Sequence, residues 1–218
     1  MLRPLTRWMA FLCLSCALPL AAWAQTFQAG EHYEELPLAV ETQSDGVEVV
    51  EVFSYACIHC YNFDPIVEHW SANTADDVEF ERVPAVFNAV WQLLAQAYYT
   101  AEVLEVGEQL HMPLFEAIHK KGIDIRDPDL MAGLFETHGC VARADFDAAY
   151  NSFGVRSRVQ QASARGRAYR IQGVPTMIVN GKYRVDAGMA GGHEQMLAVV
   201  DYLVEQERAA GASASGGQ

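Results

Sequence analysis

The chain has 218 residues with 28 acidic against 15 basic side chains, a formal net charge of −13 at neutral pH. A surface of that sign repels phosphate backbones and anionic headgroups, so no nucleic-acid partner is expected. Five cysteines in a chain long enough to bury a sizeable core exclude the disulfide-stapled miniature class and leave those cysteines to be explained by chemistry.

Residues 1–24 carry Arg3 and Arg7, an apolar run from Trp8 to Leu20, and then Ala22-Trp23-Ala24, a small-x-small cleavage pattern. They are expected to form a signal peptide, because the run falls short of the about 20 apolar residues that span a bilayer. Cleavage would remove two arginines and no acid, taking the charge to −15 (13 basic, 28 acidic), and would remove Cys13 and Cys16. Cys57, Cys60 and Cys140 then remain, which is not a disulfide framework.

Residues 25–46 read as an approach segment with one edge strand near Leu38, closed by the turn formers Ser44-Asp45-Gly46. Val47 to Phe53 is Val-rich and alternating, the signature of a buried strand, and a Cys-x-x-C pair follows at once. From there Phe63, Ile66, Val67 and Trp70 recur at helical spacing, which puts Cys57 at a helix N-terminus. Val78 to Val83 gives a second strand, ended by Pro84. Strand periodicity then stops until about Thr176. Helical spacing takes over through Leu93, Leu94 and Ala97, then Leu114, Phe115 and Ile118, and Asp127-Pro128 supplies a cap with proline at the first helical position. Further helices are expected around Phe146 and from Val155 into Arg167. Thr176–Val179 and Tyr183–Val185 flank Asn180-Gly181, a strong hairpin signal. A last helix carries Met196, Leu197, Val200 and Leu203, and the Gly/Ala/Ser-rich residues 211–218 are expected to be a flexible tail.

A thiolate attacks a disulfide where a thiol does not, so a redox dithiol needs a group that lowers the pKa of its outer sulfur. The unpaired N–H groups and the dipole of a helix N-terminus favour negative charge there, and His59 between the cysteines adds a donor or a positive charge. Cys57 is therefore the expected nucleophile and Cys60 the thiol that resolves the mixed disulfide. A zinc site would need a second ligand pair, which His138 and Cys140 do not supply at a suitable spacing, and a c-type haem would need histidine where Tyr61 stands. No metal and no cofactor are expected. Cys140 is expected to be a buried, inert thiol, and His111, His119, His138 and His193 to be solvated polar residues.

With these residues assembled, the chain resembles the DsbA family of periplasmic dithiol oxidases. The matching stretches are Glu51-Val52-Phe53-Ser54-Tyr55-Ala56-Cys57-Ile58-His59-Cys60-Tyr61-Asn62-Phe63 and Gly173-Val174-Pro175-Thr176-Met177-Ile178-Val179-Asn180-Gly181-Lys182-Tyr183. The resemblance implies an α/β, thioredoxin-like fold formed by residues 25–87 and 166–210, with an inserted all-helical domain over 88–165. It implies that Val174-Pro175 is the cis-proline loop that binds extended substrate, and that Glu51 is a buried acid beneath the dithiol. It further implies a monomeric oxidase that introduces disulfides into unfolded or partly folded secreted proteins with free thiols, and a membrane quinone-linked partner of the DsbB type that reoxidises it. Ile58 departs from the Cys-Pro-His-Cys of the best-known member, which bears on the strength of the oxidant. A reductase or isomerase using the same dithiol, or a peptide-binding chaperone, is the alternative.

Overall fold

The computed structural model describes residues 26–42, 44 and 46–215; the leader expected over 1–24 lies outside the described residues. Among the described residues five strands form one sheet: β1 (Glu34–Glu35), β2 (Val47–Phe53), β3 (Val78–Pro84), β4 (Thr176–Val179) and β5 (Tyr183–Asp186), in the order β1-β5-β4-β2-β3. Only β2 and β3 run parallel, because helix α1 (Ile58–Ser71) carries the chain back between them; the other neighbours are antiparallel. Asn180 and Gly181, both with positive φ, make the tight turn from β4 to β5. At Gly181 a side chain is excluded twice over, since its φ is +61° and an added Cβ would stand 2.0 Å from the Val40 carbonyl oxygen.

Between β3 and β4 the chain builds α2 (Ala89–Val103), α3 (Gly107–His119), α4 (Pro128–Gly139), α5 (Arg143–Tyr150) and α6 (Phe153–Ala168). Asp127 caps α4 as expected, its carboxylate accepting from the N–H groups of Asp129 and Leu130. The short α7 (Ala187–Ala190) and the long α8 (His193–Ser215) close the chain. The flexible tail expected from residue 211 is thus helical as far as Ser215. Its alanines favour helix once Leu203 and Val204 have seated the preceding turns on the sheet.

Three cores result. Val47 and Val49 of β2 pack with Met177, Val179 and Val185 under Phe63, Val67 and α8, while Val50, Val52, Val83 and Ile178 face α6 on the other side. The third core lies within the helices, but Phe53, Tyr55 and Cys60 help to fill it. The dithiol therefore stands at the seam between sheet and helices. One expected element is misplaced: the edge strand is Glu34–Glu35, paired with Tyr183 and Arg184, and Leu38 is loop with 81% of its surface exposed.

Candidate active site

Strand β2 ends at Phe53, and the turn that follows is tied by Cys57 N–H donating to Ser54 O (3.0 Å) and Ala56 N–H donating to Ser54 Oγ (3.2 Å). This delivers Cys57 to the N-cap of α1 with extended backbone (φ −94°, ψ 114°), and its sulfur accepts the Cys60 backbone N–H at 3.4 Å. The pair is held as two free thiols, Cys57 half-buried and Cys60 buried. The two sulfurs are driven apart in acidity. A hydrogen bond from the Cys60 thiol, opposed by partial burial and helped by the N–H groups of Cys60 and His59 and by the charge of His59, brings Cys57 down to about 6. Burial, then the hydrogen bond to and the charge of Cys57, push Cys60 far above the ordinary thiol range. One sulfur is thus ready to attack and the other to stay protonated.

His59 is exposed on the first turn of α1 and lines a cavity of about 460 Å³ with Val174, Pro175 and His193. The Val174-Pro175 peptide is cis, and as a thiol Cys57 Sγ donates to Val174 O at 3.4 Å. The loop expected to bind substrate therefore faces the outer sulfur across the groove. Ile58, in the place of the family's proline, is 45% exposed and points no polar group at either sulfur.

Glu51 is 2% exposed on the α1-covered face of β2. The parallel register sets it beside Arg82, whose Nε donates to Glu51 Oε2 at 2.9 Å. Burial nonetheless raises its carboxyl to about 7, with Arg82 pulling down and Asp64 and Glu68 pushing up. Because the folded state keeps a proton that the unfolded chain gives up above about pH 4.5, stability is lost as pH rises from there through about 7. Glu51→Gln removes that loss. It should stabilise the protein by a margin near zero at about pH 4 and on the order of 2 kcal/mol at neutral pH, read by denaturant titration at several pH values. A gap that does not change with pH would contradict the raised carboxyl.

Several neighbours carry no motif in the sequence. Asp64, one turn beyond Cys60 on the same helix face, is buried, and Arg82 ties it to Glu51 and Glu68. Two histidines expected to be solvated are part-buried partners instead: His111 bridges Asp64 and Tyr55, and His119 Nε2 meets Tyr55 O at 2.8 Å with its ring stacked on Tyr61. Each sits on α3 turned toward the dithiol, which the helical period of α3 alone does not reveal. His193 lines the groove with its ring tilted at 49° to that of Phe63, centroids 5.1 Å apart, and His138 is in the last turn of α4. Cys140 is exposed, not buried, because Gly139 ends α4 and Cys140 takes the left-handed turn after it (φ 53°). Among the described residues no group of three or more His, Cys, Asp or Glu is placed to hold a metal ion.

A family model described as the DSBA-like thioredoxin domain matches residues 48–204. The chain belongs to the DsbA family. Among its relatives, thiol:disulfide interchange protein DsbA of Azotobacter vinelandii is 45% identical over 182 residues, covering 83% of this chain and 85% of that one. The DsbA of Pseudomonas aeruginosa PAO1 is 42% identical over 202 residues, covering 92% and 95%. Crystal structures of DsbA from P. aeruginosa (TM-score 0.82, 42% identity, 85% of this chain and 97% of that one) and from Xylella fastidiosa (0.78, 41%, 84% and 98%) share the fold. As a DsbA-family member the chain is a thiol:disulfide oxidoreductase of thioredoxin-like fold with a helical insertion, acting on proteins by disulfide exchange.

Proposed function

We propose that the chain is a periplasmic oxidase, exported by the 1–24 leader and active as a monomer, that passes the Cys57–Cys60 disulfide to unfolded or partly folded clients. The working units are residues 25–87 with 166–210, and the helical insertion 88–165. A client thiolate attacks Cys57 Sγ; the Cys57–Cys60 bond breaks, and Cys60 leaves with the electron pair and takes a proton from Glu51. A second client thiolate then attacks the client sulfur of the mixed disulfide, releasing Cys57 as a thiolate and closing the client's disulfide. Two electrons have moved to the enzyme, and a membrane quinone-linked partner of the DsbB type removes them. Clients lie extended along Val174 and Pro175, where proline offers no N–H donor to the sulfur.

The observation that carries this direction is the seat of Cys57 at the N-cap of α1, where its sulfur accepts the Cys60 backbone N–H at 3.4 Å and its acidity is brought down to about 6. Stabilising the thiolate stabilises the reduced enzyme, which makes its disulfide the stronger oxidant. The equilibrium of the purified protein with glutathione tests it. The couple should lie above the glutathione potential, and a value near about −270 mV, in the thioredoxin range, would make the chain a reductase.

A further inference from the structure

Beneath the dithiol, polar groups from four elements and one turn join in a single hydrogen-bonded chain. Arg82 of β3 is its hub, bonded to Glu51 of β2 (2.9 Å) and to Asp64 (3.3 Å) and Glu68 (2.8 Å) of α1. From Asp64 the chain continues to His111 Nε2 of α3 at 2.7 Å, and from His111 Nδ1 to the buried Tyr55 hydroxyl at 3.0 Å. Glu51 is sealed from solvent, whereas Asp64, Glu68, Arg82 and His111 line a cavity of about 580 Å³ that also receives Glu102 of α2 and Glu108 of α3. Arg82 is the one fixed cation among the described residues lining that cavity, against four carboxylates there.

Whenever Glu51 ionises, this crowd of negative charge grows by one. His111 is placed to answer it. Its Nε2–H donates to the Asp64 carboxylate in either protonation state, and the Tyr55 hydroxyl can donate to a bare Nδ1 or accept from a protonated one. Both states are hydrogen-bonded without moving a heavy atom, and the ring reaches the cavity that Glu51 does not.

We propose that His111 is a positioning residue acting through Glu51: it takes up a proton from the cavity while Glu51 has given its own to Cys60, and so holds the buried cluster at constant charge. The inference rests on the reading of Glu51 as proton donor. During client attack the S–S electron pair goes to Cys60, the Glu51 proton follows it, and one proton moves from cavity water to His111 Nδ1. When Glu51 recovers its proton, His111 returns its own to the cavity. Arg82 passes no proton, and its guanidinium remains the link through which the two sites sense one another.

The test is the pH profile, from about pH 5 to pH 9, of the rate at which the full-length oxidised protein oxidises a two-cysteine peptide. Glu51→Gln should abolish the limb near about pH 7. His111→Gln should move that limb up by about one pH unit and slow exchange several-fold at neutral pH, because an ionised Glu51 loses its compensating charge. In the Glu51→Gln background, His111→Gln should add nothing. Tyr55→Phe, which keeps the packing but removes the acceptor for Nδ1–H, should act in the same direction by less, and serves if His111→Gln does not fold. A wild-type profile in His111→Gln, or an equal loss in both backgrounds, overturns the role of His111 and leaves Glu51 standing. If Glu51→Gln itself keeps the wild-type limb, the donor reading fails, and this inference with it.

Discussion

In the reduced protein, alkylation at about pH 6 should modify Cys57 at least ~100-fold faster than Cys60. A sizeable share of Cys57 is expected to be thiolate there, since the Cys60 thiol, the two backbone N–H groups and His59, against partial burial, bring its acidity down to about 6. Cys60 is buried and held protonated by the same neighbour that ionises, so both reactivity and access protect it. Cys140 is exposed and would blur the count, which makes Cys140→Ser the background for the measurement. Peptide mapping after timed quenching gives the two rates. Comparable labelling of Cys57 and Cys60 would remove the physical basis for calling one attacker and the other resolver.

The second large effect separates the two sulfurs by function. Cys57→Ser should reduce oxidation of a two-cysteine peptide to the uncatalysed rate, because no other described sulfur sits at a helix N-cap facing the Val174 carbonyl. Cys60→Ala should also lose turnover, for a different reason. Its Cys57 thiolate still exchanges with oxidised clients, but the thiol that would reverse the mixed disulfide is gone, so covalent complexes should accumulate and show on non-reducing gels. Adding Cys57→Ser should abolish them. Complexes that persist in the double variant would implicate Cys140 and shift the active thiol away from α1.

Much of the frame was legible because it depends on local pattern. The alternation over Val47–Phe53, the Asp127-Pro128 cap and the Asn180-Gly181 turn each depend on residues within a few positions of one another, and each appears where the pattern puts it. Cys57 at the start of α1 follows from the same kind of reading. What escaped is non-local. β1 consists of two glutamates with no strand character of their own, and it exists because β5 offers a free edge. Arg82 meets Glu51 only through the register of two parallel strands, and nothing short-range announces that pairing. Asp64 could have been suspected: Cys60, Phe63 and Val67 mark a buried stripe on α1, and Asp64 stands on it, where a carboxylate demands partners. The exposure of Cys140 turns on one backbone conformation at a helix end, which a cysteine rarely adopts and its sequence context does not signal.

The order of strands bears on how the molecule assembles. β2 meets β3 after one short helical crossover, but its other neighbour is β4, with Val52 opposite Thr176 and the whole run of α2–α6 between them in the chain. Closing so long a loop costs entropy before any strand contact returns it, while the helices gain from contacts close in sequence. Synthesis runs in the same direction. The helices can collapse on Phe53 and Tyr55 before β4 arrives, and the Val174 carbonyl reaches Cys57 only when β4 docks. The thiol pair is therefore assembled early, whereas the groove that gives it clients comes last. A partly folded chain would carry the sulfur chemistry before it could hold a substrate against it.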